Sequence, residues 1–352
     1  MKKLNFLLLL ALFFCFNSID LNAQNVNIPD ANFKTFLIGN ETINTNGDEE
    51  IQESEAVAFI GGIRCLDLAI KDLTGIEAFP NITSLYCSKN ELTSLDLSQN
   101  IKLKKLYCAS NSLKNLDLLK LVHLEILACY ENDLSSLDVS QNTKLRQLSC
   151  SATQLADLDV SQNINLKTFD CNGNQLTTLD VSKNVNLERL GCSENELTSV
   201  DLSNNLKLKY FECYDNKLTD LDLSKQLNLK SLSCDGNELT TLELSQNVNL
   251  KSLDCYMNEL TSLDVSKNIA LEEIDCSINA LTSLDFSNNV NLERVDCSDN
   301  QLVRLNMKHT NVEELSAKKN KLTCIEVDDP AKTKENENVI DGTASFSTSC
   351  PK

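Results

Sequence analysis

Cysteine recurs at residues 87, 108, 129, 150, 171, 192, 213, 234, 255, 276 and 297, at an unbroken interval of 21 residues. A fixed period of this size means a stack of near-identical coils, each contacting only its neighbours. Aligned on cysteine, the unit reads L-x-x-L-x-C-x-x-N-x-L-x-x-L-D-[LV]-S-x-N, as in Leu85, Cys87, Asn90, Leu92, Leu95, Asp96, Leu97, Ser98 and Asn100. In Leu85-Tyr86-Cys87 the apolar side chains alternate with period two, which predicts a short strand with leucine and cysteine inside and their neighbours outside. One coil alone buries almost nothing, so parallel stacking supplies the core. About 13 coils at ~4.8 Å give a stack roughly 60 Å long.

Departures from the repeat carry information. The asparagine of Asn90, Asn111, Asn132, Asn174 and Asn195 is expected to bond backbone groups left open where the strand turns away, and Thr153 stands in its place in one turn. That turn should be weaker by ~1 kcal/mol. Ala317 replaces cysteine one residue early and Asn306 replaces the paired aspartate, so the stack ends there. Leu66-Asp67-Leu68 fits the strand slot better than Cys65 does, which places Cys65 outside the ladder. The periodic aspartates, such as Asp96 and Asp138, are expected to hold backbone amides of their own turns.

Neighbouring strands bring α-carbons within disulfide range, but in-register side chains point the same way and leave the β-carbons too far apart. The ladder is therefore expected to be reduced thiols acting as small hydrophobes. One soft ligand per coil in a straight line cannot surround a tetrahedral metal. Cys324 and Cys350 bracket a terminal segment without the repeat; a disulfide there is the favoured reading and a free pair the alternative.

This framework resembles the 21-residue class of bacterial leucine-rich repeats, and the strand cysteine is similar to that of internalins with a cysteine ladder. The resemblance covers residues 66–323, and NVNIPDANFK and the tail from LTCIEVDD to STSC look like end pieces of secreted proteins of that group. It implies a right-handed, curved stack of parallel β-strands with a mostly irregular or short-strand convex side and a helical N-terminal cap. It also implies extracellular recognition or adhesion.

Lys2 and Lys3 precede the apolar run Phe6 to Phe16, and Leu21-Asn22-Ala23 follows, the build of a cleaved secretion signal. Phe14 before Cys15 argues against lipid attachment. Cleavage after Ala23 removes Lys2, Lys3 and Asp20, taking the net charge from −19 to −19 − 2 + 1 = −20. The domains then read 1–23 signal, 24–62 cap, 63–323 repeat and 324–352 C-terminal cap. No later run reaches the length of a membrane helix, so the mature chain is expected to have no transmembrane segment and to be secreted or held at the cell surface. The negative charge disfavours nucleic acid.

Two short helices, Asp30 to Leu37 and Ser54 to Phe59, are expected in the cap. Between them Asn44, Asn46, Asp48, the backbone of Glu50, Gln52 and Glu55 occupy the offsets of an EF-hand loop. Glu49 stands at the usual turn glycine and Asn44 at the usual first aspartate. The loop is either a weak calcium site or a helix-capping turn without metal; no other cofactor is implied.

The concave face should carry the residues three before, one before and one after each cysteine. All six tyrosines fall there, Tyr86, Tyr107 and Tyr130 in one group and Tyr210, Tyr214 and Tyr256 in another, beside the stacked Asp254, Asp275 and Asp296. Tyrosine supplies rigid contact area with a polar tip. His123 and His309 are far apart and no unique carboxylate or nucleophile cluster exists, so no catalytic residue is assigned and the chain is not expected to be an enzyme. The leading expectation is a monomer that binds an extracellular protein or glycan on the concave face. The alternative is a structural envelope protein or spacer without a specific ligand.

Overall fold

The computed structural model describes residues 24–333 and 337–351; the expected signal at 1–23 lies outside them. The cap opens with α1 (Ala31–Ile38), whose N-cap Asp30 accepts hydrogen bonds from the backbone N–H of Asn32 and Phe33. The second Asp30 oxygen accepts from Lys71 and Asp72 N–H, tying the cap to the first coil. Helix α2 (Glu53–Ala58) follows, one residue earlier at each end than its expected span.

The coils pair as a 14-stranded sheet, each pairing parallel. It begins with β1 (Gly61–Arg64) and β2 (Ile82–Tyr86), and the inward residue runs in register through Leu85, Leu106, Leu127, Leu148 and Phe169. The core lies behind this column, and all the ladder cysteines are buried in it. Two residues past each cysteine the backbone turns left-handed, as at Lys89, Ser110 and Glu131, where φ is between 52° and 57°. Most of these residues are not glycine, so something must hold each turn.

The asparagine one position further does so. Asn132 Nδ2 donates to Cys108 O (3.1 Å) in the coil before and to Cys129 O (2.9 Å) in its own, while its Oδ1 accepts Leu113 N–H at 3.0 Å. Thr153 is fully buried, and its hydroxyl lies 2.8 Å from Cys150 O and 2.9 Å from Asn174 Oδ1. With one proton it serves one acceptor at a time. Leu134 N–H, in the place from which Leu113 and Leu155 reach an asparagine, meets none.

A second buried amide column runs ten residues later, through Asn142, Asn163 and Asn184. Asn184 Nδ2 bonds Val160 O and Asn163 O, both at 3.0 Å, while its Oδ1 is buried without a partner.

Cys65 belongs to the ladder, contrary to the reading that put it outside. Arg64 pairs with Tyr86, Cys65 N–H donates to Tyr86 O at 2.9 Å, and the Cys65 side chain is fully buried. The first coil is one residue longer than the others. A 3₁₀ turn at Ile76–Ala78 takes up the difference and brings Phe79 to the place of the later buried asparagines. Leu68, offered for the strand slot, is exposed beyond the left-handed Asp67.

In the last coils a second, four-stranded sheet forms from Ser283–Asp285, Arg304–Asn306, Cys324–Glu326 and Ser345–Ser347. The tail closes both sheets, with Glu337–Val339 pairing to Glu314–Ser316 in the large one. Cys324 and Cys350 are joined as a disulfide, with α-carbons 5.8 Å apart. Among the described residues no helix is long and apolar enough to cross a membrane.

Candidate functional site

On the large sheet, side chains one and three positions before each cysteine point away from the core, because they alternate with the buried leucine column. Tyr86 and Tyr107, paired in adjacent strands, stack with ring centroids 4.8 Å apart and planes 8° from parallel. The Arg64 guanidinium caps the stack 4.8 Å from the Tyr86 ring. Tyr130 follows its cysteine instead of preceding it, so it stands in a neighbouring column, 36% exposed. The first tyrosine group is thus a stacked pair with a third ring in the next column.

The second group divides differently. Tyr210 is 36% exposed and lies under Arg189, 4.9 Å away, which also pairs with Glu212 at 2.6 Å. Tyr214 donates its hydroxyl to Glu194 (3.3 Å), and Tyr256 bonds the buried Asp235. Desolvation, with Glu194, raises the Tyr214 phenol above its ordinary value, and the charge of Asp235 raises that of Tyr256. Each of these two rings is held by a carboxylate of the preceding coil.

Asp254, Asp275 and Asp296 face one another across successive strands. Asp275 and Asp296 spread their charge into hydrogen bonds from Ser277 and Ser298. Asp254 has a buried Oδ1 without a partner. Burial first, then the charges of Asp235 and Asp275, push its carboxyl up to about 7. A cleft of about 550 Å³ opens over this stretch, with Glu273, Arg294 and Glu314 on its walls. The arrangement offers an acidic, partly apolar recess at one end of the face and an aromatic–cationic platform at the other.

The cap loop is closed on itself. Glu55 Oε1 accepts from Thr45 N–H (2.7 Å), Thr45 Oγ1 (2.9 Å) and Asn46 N–H (3.2 Å), and Oε2 from Gln52 N–H (3.0 Å). Burial pushes the Glu55 carboxyl up, but these bonds outweigh it and hold it below the ordinary value. Asn46 and Gln52 turn amide nitrogens toward Asp48 Oδ2, Asn44 Nδ2 bonds Ile38 O and Asp48 O, and the Glu50 side chain pairs with Lys34. A calcium ion would need both inward amides reversed and Glu55 freed from the helix it caps. We propose that the loop serves as a helix-capping turn without metal, so melting should be the same in chelator and in millimolar calcium; a rise of several degrees with calcium would overturn this reading.

The ladder thiols are equally closed. Burial pushes Cys65, Cys129 and Cys192 up to about 12, and Cys171 Sγ donates to Gly191 O at 3.4 Å. Among the described residues all twelve free cysteines are buried. The periodic carboxylates are occupied too: Asp96 and Asp138 accept the N–H of Ser98 and Ser140 at 2.8 and 2.9 Å.

A register of parallel coils with buried sulfur, an asparagine turn in nearly every coil and a varied sheet face define a leucine-rich repeat solenoid with a cysteine ladder, similar to internalins. Over 72 residues the chain is 36% identical to internalin J of Listeria monocytogenes; this stretch is 20% of the chain and only 8% of that protein's length. The solved functional domain of InlJ, which itself includes a cysteine ladder, is 29% identical with a TM-score of 0.65, covering 88% of this chain and 78% of that one. Another L. monocytogenes internalin, inlF, shares the fold at 21% identity and TM-score 0.79, covering 91% and 98%. No family model matches the chain.

Proposed function

We propose that the chain is an exported, non-enzymatic recognition scaffold that binds an extracellular protein or glycan across the face of its large sheet. The observation that carries this reading is the confinement of all six tyrosines to that face, where the leucine core has no use for them. Arg64, Tyr86 and Tyr107 form a stacked column with one cationic end that turns ring edges and phenol hydroxyls outward, suited to contact and hydrogen bonding with a polar partner. The cleft near Asp254, Asp275 and Asp296 complements a basic segment of the same partner.

Binding to protein and glycan arrays tests it. Tyr86→Ala, Tyr107→Ala and Tyr130→Ala together should abolish the strongest array signal with melting changed little, because each ring stands outside the core. Undiminished binding by the triple variant would remove the face from the account. An array without any signal for the native chain would favour the spacer reading.

A further inference from the structure

One edge of the stack carries a feature that the core and the tyrosine face leave unused. The residue after each buried amide side chain is aliphatic and outward in six consecutive coils: Ile164, Val185, Leu206, Leu227, Val248 and Ile269, each 46% to 58% exposed. At strand spacing they form an apolar strip ~24 Å long. Its backbone is pinned from coil to coil, because Asn186, Asn228, Asn249 and Asn291 donate Nδ2 to the carbonyls of Ile164, Leu206, Leu227 and Ile269 at 2.9 to 3.1 Å. Scattered exposed aliphatics need no explanation, but an aligned and pinned row does.

The two flanks of the strip are opposite in sign. Five residues before each strip position runs an acidic row, Asp159, Asp180, Asp201, Asp222, Glu243 and Asp264. Hydrogen bonds from the serine two residues on hold each of these carboxylates below its ordinary range, so the row is charged at neutral pH. Lys183, Lys225 and Lys267 stand between this row and the strip, and the flank carries −6 + 3 = −3. On the other side, toward the large sheet, Lys207 follows the strip directly, and Lys167, Lys209, Lys230 and Lys251 stand three residues past it with Glu188 and Glu272. That flank carries 5 − 2 = +3. The whole edge is neutral, so a surface of one sign gains nothing from it. What it fits is a partner with the same apolar line and the two charged rows in the reverse order.

We propose that this partner is a second copy of the chain, docked edge to edge with the two stacks parallel. A two-fold axis running along the strip turns the acidic row of each copy onto the lysine row of the other and lays every aliphatic side chain against its own equivalent. With the axis across the strip the stacks run antiparallel and like rows meet, which costs energy. The parallel pairing leaves both tyrosine faces open and stands whether or not those faces bind a ligand. An edge of this size makes a weak, reversible interface, so the free chain and the dimer exchange with concentration.

Sedimentation equilibrium of the mature chain across the micromolar range tests it. A monomer–dimer equilibrium is expected, weakening with salt. Leu206→Ser, Leu227→Ser and Val248→Ser together should raise the dissociation constant at least about tenfold. Lys207→Glu with Lys230→Glu turns the basic flank from +3 to 3 − 4 = −1 and should weaken association comparably. Because these side chains stand outside the core, melting should hold, and the tyrosine variant of the sheet face should dimerise as the native chain does. Orientation is read separately: Val185→Cys, Leu227→Cys and Ile269→Cys, taken one at a time, should each yield a covalent dimer with a short bis-maleimide, since every strip residue meets its own equivalent and the ladder thiols are buried. A chain that stays monomeric throughout, or a dimer that the serine variant keeps, overturns the proposal. So does cross-linking at a single one of the three positions, the mark of antiparallel pairing.

Discussion

Asn195→Ala is expected to cost about 3 kcal/mol of stability. Asn195 Nδ2 donates to Cys171 O at 3.1 Å, Cys192 O at 3.1 Å and Ser193 O at 2.9 Å, and Oδ1 accepts Leu176 N–H at 2.9 Å. Truncation leaves these groups buried beside a left-handed turn at Glu194, which the amide holds together with the Glu194 N–H bond to Tyr214 O at 2.8 Å. The chain contains its own control. Thr153 shows that a hydroxyl can occupy the position with part of the bonding, so Asn195→Thr should cost about half as much. Urea unfolding monitored by circular dichroism measures both. A loss under about 1 kcal/mol for the alanine variant would mean that the column is decorative. Because stability in a stack is carried by neighbour interfaces, a broadened transition is also expected, with coils near residue 195 opening first.

Asp254→Asn acts in the opposite direction and stabilises the chain at neutral pH. The folded-state value of about 7 stands well above the ordinary 3.8. For a carboxyl raised on folding, charging is disfavoured in the native state, so stability falls as pH rises from the unfolded value through the folded one. The shift corresponds to about 4 kcal/mol at full strength, and partial solvent screening on the open sheet reduces this to about 2 kcal/mol. Native chain should therefore melt higher at pH 5 than at pH 8, and the asparagine variant should flatten that slope. Below pH 4 the sign reverses. Asp30 lies below its ordinary value because bonds from Phe33, Lys71, Asp72 and Asn32 outweigh its burial, and the Ser98 N–H lowers Asp96 directly. The stability these carboxylates add is present above their unfolded values and is lost as pH falls through the folded ones. A native chain equally stable at pH 5 and pH 8, with no gain from the substitution, would refute the account of the aspartate row.

Much of the architecture was legible because the 21-residue period fixes register by itself: once Leu85 and Leu106 are inside, Tyr86 and Tyr107 must be outside and adjacent. The asparagine turn was legible for a related reason, since a polar side chain at constant spacing within a core has to meet backbone. Cys65 was misread because its coil has 22 residues, and the extra one sits far downstream in the 3₁₀ turn before Phe79, where cysteine alignment does not look. The second sheet follows from closure by the tail and leaves little trace in the Leu-Thr-Ser-Leu-Asp segment, which is strand at Ser283–Asp285 and irregular in earlier coils. On the face, period told which side chains emerge but not which bond one another. The engagement of Tyr214 with Glu194, and of Tyr256 with Asp235, depends on rotamers across 20 or 21 residues.

If leucine and reduced sulfur fill a closed interior, a count of reactive thiols will show it. A chain beginning at Gln24 holds 15 − 1 = 14 cysteines, two of them joined between Cys324 and Cys350, leaving the twelve found free and buried. Titration with a thiol reagent under native conditions should find none of the twelve, and the same unreduced protein in guanidinium should release all of them at once. Prompt reaction of several thiols in the folded chain, or fewer than twelve after unfolding, would contradict the ladder.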